Sequence, residues 1–151
     1  MFRIRVFTPQ VIDESGWPHA GGQLVLGNVH LHFLVDLRYW SIAAYERQWR
    51  EGIARLVQGA PSTALMTAYR GPSDDPHVMW VLWRDESYVY VQSQTVLPAE
   101  LDSPFDPFAP YAHVGERIPS QEHGLPIPEW RVELVHLFAC ALGIRWPMYP
   151  G

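Results

Sequence analysis

The chain has 151 residues, 48% of them hydrophobic, with seven tryptophans and a formal net charge of −5. That length and apolar content predict a single globular domain over residues 1–151 and exclude a disordered or fibrous chain. The acidic balance argues against a nucleic-acid binder, because phosphate contacts need clustered basic side chains.

Cys140 is the only cysteine, so no internal disulfide can form and a reducing compartment is favoured. The N-terminus, Met1-Phe2-Arg3-Ile4-Arg5-Val6-Phe7, alternates apolar and basic residues. It lacks the apolar core of a signal peptide, and no run approaches the roughly 18 apolar residues of a membrane span. The expectation is a soluble, cytoplasmic protein with no membrane partner.

Phe2–Val11 reads as a strand, with Phe2, Ile4 and Val6 on one side and Arg3 and Arg5 on the other. Residues 16–22, Gly-Trp-Pro-His-Ala-Gly-Gly, read as a loop rich in breakers. Leu24–Leu26 and Val29–Leu34 follow as strand, with Gly27-Asn28 as the turn or bulge between them. The next segment, Ser41–Gln58, is predicted as an amphipathic helix. Ser41 is a suitable N-cap, because its hydroxyl can accept from a free backbone N–H of the first turn. Ile42, Tyr45, Trp49, Ile53, Leu56 and Val57 lie at the spacing of one buried face, and Gly59 and Pro61 end the helix. Glu46 with Arg50, and Glu51 with Arg55, are expected as i,i+4 pairs on the wet side.

Ser62–Tyr69, Val78–Arg84 and Tyr88–Gln94 read as strands, the last two joined by a tight Asp85-Glu86-Ser87 hairpin. Residues 95–128 carry half of the fourteen prolines and little periodicity; loops that long are often functional. Trp130–Leu134 suits a last edge strand, and Leu134–Leu142 a short C-terminal helix ending at Gly143. The predicted fold class is α+β: a mostly antiparallel twisted β-sheet, with helix 41–58 packed on it and a short helix at the C-terminus.

Catalytic and metal signals are sparse. His30 and His32 share one face of a strand, a workable start for a metal site. A third ligand is not marked; His77, His113 and His123 are candidates only by their presence. Cys140 sits in the apolar run 137–142, where a thiol is usually inert filling, with His136 as the sole local base. No Gly-x-Ser-x-Gly elbow and no phosphate loop occurs. The expectation is no catalytic residue, no metal and no cofactor. Most tryptophans, Trp40, Trp49, Trp80 and Trp83 among them, are expected in the core.

The stretch Tyr39-Trp40-Ser41-Ile42-x-x-Tyr45-Glu46-Arg47-Gln48-Trp49-Arg50-Glu51-Gly52-Ile53-x-Arg55-Leu56, followed by residues 62–70 (Ser-Thr-Ala-Leu-Met-Thr-Ala-Tyr-Arg), carries a family likeness. It resembles small bacterial immunity proteins of contact-dependent growth inhibition, the CdiI type. Met79–Arg84, Val89–Gln94, residues 104–107 (Pro-Phe-Asp-Pro) and residues 128–130 (Pro-Glu-Trp) extend the likeness, which covers roughly residues 24 to 142. The resemblance implies a non-enzymatic protein that binds a cognate toxin domain and blocks it. Two other readings stay open: a small metal-dependent hydrolase using His30 and His32, and a plain protein-interaction module.

The negative charge is concentrated. Residues 71–116 hold eight acids against Arg84 alone. If strands 62–69, 78–84 and 88–94 are antiparallel neighbours, their connections alternate between the two ends of the sheet. Asp74, Asp75, Glu100, Asp102 and Asp106 then gather at one rim with no basic residue among them, and Asp85-Glu86 lies at the other end. Such a rim is either a solvated face or a surface complementary to a basic partner, such as a nuclease toxin.

Overall fold

The computed structural model describes residues 1–12, 14, 16–118 and 128–143. The elements run β1 (Phe2–Val6), β2 (Val11–Ile12), β3 (Pro18–Leu26), β4 (Val29–Asp36), α1 (Ile42–Val57), β5 (Ser62–Ala68), β6 (His77–Asp85), β7 (Tyr88–Val96), β8 (Trp130–Glu133) and α2 (Leu134–Ala141). The class is the expected α+β, with antiparallel strands throughout, but the strands form two sheets rather than one. In the first, β3 pairs with β1 and β2 along one edge and with β4 along the other. The second has the order β5-β6-β7-β8.

Two expectations about the first sheet change. The N-terminal strand breaks after Val6, and residues 18–22, read as loop, continue β3. Tertiary pairing overrides the local glycine signal there: β3 has ladders on both sides, so the backbone bonds that fix it come from β1 and β4. The missing side chain at Gly22 is used, because the Phe33 ring of β4 occupies the space where a Cβ would stand.

Helix α1 forms where its local signals lie. Ser41 is its N-cap and accepts from the Ala44 N–H at 3.2 Å. Tyr45, Trp49, Ile53 and Leu56 are buried, as the spacing requires. The exposed ion pair is Arg47–Glu51 at 3.0 Å, whereas Arg55 stacks on Tyr111 with its guanidinium carbon 3.6 Å from the ring centroid. Gly52 lets the helix approach β5 closely, because a Cβ there would meet the Leu65 methyl at 2.7 Å and the Ala64 carbonyl at 3.0 Å.

The helix closes the edge of the second sheet through side chains. The Pro61 C=O accepts from the Arg84 N–H, so alternate residues of β5 turn their backbone groups away from β6. Those groups find partners on α1. Gln48 donates to the Ala64 C=O (2.8 Å) and accepts from the Met66 N–H (2.7 Å), and the Trp49 indole donates to the Met66 C=O (2.7 Å). The Tyr45 hydroxyl accepts from the Tyr69 N–H (2.9 Å) and donates to the Asp36 C=O (2.5 Å), tying β5 to β4. Burial pushes the Tyr45 phenol well above its ordinary pKa, so the proton it donates stays in place.

The core lies between the sheets. Phe33 meets Trp49 and Trp80 edge-on, and Trp80 meets Trp130. Trp40, Trp49, Trp80 and Trp83 are all buried, as expected. The other face of the second sheet is covered by residues 97–118, which include single 3-10 turns at Pro98–Glu100 and Pro110–His113. The Trp83 indole donates to the Gly115 C=O (3.0 Å), and Arg117 makes two bonds to Glu129, which also accepts from Gln92 (2.7 Å). These contacts pin a proline-rich segment that has little secondary structure of its own among its described residues. Residues 119–127 of that segment lie outside the described residues.

Candidate partner-binding site

The connection from β5 to β6 and the exit from β7 emerge at the same end of the second sheet, because His77 lies opposite Val96. The Glu86-Ser87 turn is at the far end. Asp74 and Asp75 belong to the first connection and are exposed. Glu100 and Asp102 lie on a segment fixed at this end twice, by Val96 opposite His77 and by Phe105 stacked on the His77 ring at 4.5 Å. Asp106 follows Phe105 and bears electrostatically on Tyr69. All five acids are exposed.

The rim is not free of positive charge. Arg38 interacts with Asp75 as well as with Asp36. Asp36 is buried and receives Arg38 three ways: Nε at 3.1 and 3.2 Å, Nη2 at 2.8 Å and the backbone N–H at 3.0 Å. Arg70 stands 3.7 Å away. Burial alone would raise the Asp36 carboxyl pKa, but the hydrogen bonds from Arg38 outweigh it and hold the group below its usual value. Arg70 adjoins the first loop in sequence, but Arg38 does not, and its place here follows from its bonds to Asp36, in a segment remote from the rim in sequence.

Exposed aromatics stand among the acids. Trp17 is 53% exposed, Tyr39 52% and Phe108 45%. Each is held rather than loose. The Arg38 guanidinium lies 3.8 Å from the Trp17 ring centroid. Tyr39 covers Gly71, whose φ of +85° suits glycine and whose absent Cβ would sit 2.7 Å from the ring. Tyr39 also meets Tyr69 edge-on, and Phe108 packs on Trp40 at 4.7 Å. Sequence reasoning missed these three, since an aromatic at the end of a strand or loop looks the same whether the fold covers it or not.

Beneath the surface, His77 is buried between Tyr69 and Phe105. Its Nδ1 accepts from the Arg70 backbone N–H at 3.0 Å, so that nitrogen carries no proton. Burial first, and Arg70 second, lower its pKa and keep the ring neutral. The two loops that carry the acids are thus anchored on one uncharged ring.

The other marked residues are placed elsewhere. His30 and His32 are exposed on the outer face of β4; His30 lies 3.3 Å from the Gln23 amide and His32 stacks on Phe7. Among the described residues no three of His, Cys, Asp and Glu come together as a metal set; His123 lies outside them. Burial raises the Cys140 pKa, which keeps a thiol rather than a nucleophilic thiolate. At the far end of the second sheet, an open groove of about 540 Å³ is lined by Glu86, Tyr88, Glu133, Leu134, Val135 and Phe138. No described helix is long and apolar enough to cross a membrane.

This end of the sheet sets exposed aromatics, a residue type enriched where proteins bind proteins, beside exposed acids. The chain belongs to the CdiI N-terminal domain family, whose model matches residues 35–139. Among solved structures it is similar to one titled "CdiA-CT/CdiI toxin and immunity complex from Enterobacter cloacae". The TM-score is 0.83 at 22% identity, over 95% of this chain and 98% of the other, so the whole fold is shared. No curated protein matches the sequence.

Proposed function

We propose that this chain is an immunity protein that neutralises a cognate toxin domain by direct contact, without catalysis, in the cytoplasm of the cell that makes both. The family and the toxin–immunity neighbour support that role. The proposed contact surface is the end of the second sheet that carries Asp74, Asp75, Glu100, Asp102 and Asp106 with Trp17, Tyr39 and Phe108. The observation that carries it is the coincidence of exposed, braced aromatics with exposed acids on one frame. The aromatics supply anchors that lose little entropy on binding, and the acids attract a basic partner, for which a nuclease is the natural case. The toxin is blocked by having its substrate groove covered.

Binding to a cognate toxin domain tests the reading. Asp74→Arg combined with Asp102→Arg should slow association and flatten its salt dependence, with the fold intact. Tyr39→Ala should weaken the complex by roughly thirtyfold or more, the size expected of an anchor worth about 2 kcal/mol. An unchanged association rate, or a complex whose interface lies at the Glu86 end, rejects this surface. Absence of any complex rejects the function.

A further inference from the structure

Among the described residues, β4 pairs with β3 on one edge and with no strand on the other. In the β3–β4 ladder the Leu37 N–H donates to the Pro18 C=O at 3.0 Å, which fixes the phase of the pairing. Residues 29, 31, 33 and 35 therefore bond to β3, and His30, His32, Leu34 and Asp36 turn their N–H and C=O groups outward. The Asp36 carbonyl is capped by the Tyr45 hydroxyl. Among the described residues no hydrogen bond reaches the outward backbone groups of His30, His32 and Leu34, and all three residues are exposed.

Other edges in this fold are closed or guarded. The edge of β5 is filled by Gln48, Trp49 and Tyr45. β8 is four residues long and carries Arg131 and Glu133. The edge opposite β4 is interrupted between β1 and the two-residue β2, with Arg3 and Arg5 on β1. By contrast, Val29–Val35 contains no Lys, Arg, Asp, Glu, Pro or Gly. Charges, prolines and short length are what keep natural edge strands from pairing, and here they are missing.

We propose that two copies of the chain pair through β4, antiparallel about His32, so that their first sheets become one continuous sheet. The partner copy is the occupant the edge fits. The exposed positions, His30, His32 and Leu34, are symmetric about their centre, so an antiparallel copy sets His32 opposite His32 and His30 opposite Leu34. Each such pair exchanges both backbone bonds, about six in all. A copy brings a strand already ordered by β3, so little conformational entropy is lost. Charge does not oppose the approach: Val29–Val35 carries no Asp, Glu, Lys or Arg to face its copy, and the concentrated acids lie at residues 71–116. The Phe7 ring stacked on His32 at 5.2 Å extends the contact on the outer face. Residues 29–34 precede the segment that matches the family, and the aromatic and acidic end proposed for the toxin is left open.

Sedimentation equilibrium on the whole chain is the test, with the toxin absent. The unaltered protein should be dimeric at about 50 µM and dissociate on dilution. His32→Pro should weaken the dimer by about a hundredfold or more. Its effect is confined to the outer edge, because the His32 N–H does not serve the β3 ladder. Should that variant lose its fold by circular dichroism, His32→Glu replaces it: the position is exposed in the monomer, but two carboxylates would face one another in the dimer. A chain that is monomeric up to about 100 µM overturns the proposal. So does a dimer that both variants leave unchanged. If His32→Glu lowers toxin affinity while the free chain was never dimeric, the edge serves the toxin and the proposal fails.

Discussion

Gln48→Met isolates the contribution of the helix to the open edge of β5. Methionine nearly matches glutamine in length and volume and keeps helix propensity, so packing and the helix itself change little. What disappears is the pair of hydrogen bonds to the Ala64 C=O and the Met66 N–H, both in a buried setting. Each backbone group left buried without a partner costs about 1–3 kcal/mol. Two such groups give about 2–6 kcal/mol, reduced by the relief of no longer burying the glutamine amide. A net loss of about 2–4 kcal/mol is expected. For a domain of this size that lowers Tm by roughly 5–15 °C. Urea unfolding followed by tryptophan fluorescence should show a lower midpoint at unchanged slope. Hydrogen exchange should show the Met66 amide losing protection before the amides between β6 and β7. A loss under about 0.5 kcal/mol would mean that water or a shift of the helix satisfies β5, and the account of the closed edge would be wrong.

Trp49→Ala removes a fully enclosed ring and its bond to the Met66 C=O, and should cost about 3–5 kcal/mol by chemical denaturation; an unchanged midpoint would refute its place in the core. Stability should also fall with acid in two stages, measured as Tm against pH. His77 has a depressed pKa in the folded state, so its contribution is complete above the unfolded value of about 6.5 and is lost as pH falls below it. Asp36 and Glu129 are also depressed, Glu129 chiefly by its bonds from Arg117, so their contributions go as pH falls below about 4. His77→Gln should shrink the first stage, which His136 shares because burial lowers its pKa too, and leave the second. A Tm that is flat from pH 7 to 5 would refute the assignment to His77.

Local signals sufficed where the interactions are local. The Ser41 cap and the stripe from Tyr45 to Leu56 define α1 within a few residues, since a helix bonds to itself. The β6–β7 hairpin is equally visible, because strand alternation and a two-residue turn sit next to each other in the chain. Antiparallel order also places the five acids at one end, since alternation of connections follows from topology alone. What the sequence could not determine depends on groups that meet only after folding. Residues 18–22 look like a loop because the ladders that make them a strand come from β1 and β4. Gln48 looks like one more polar helix residue, because the carbonyl and amide it serves are 16 and 18 residues away. Arg38 enters the acidic rim because its partner Asp36 is buried beside Arg70, which adjoins the rim loop. Trp17, Tyr39 and Phe108 are apolar by composition, but whether an aromatic is core or surface is decided by what packs over it, and over these three little does.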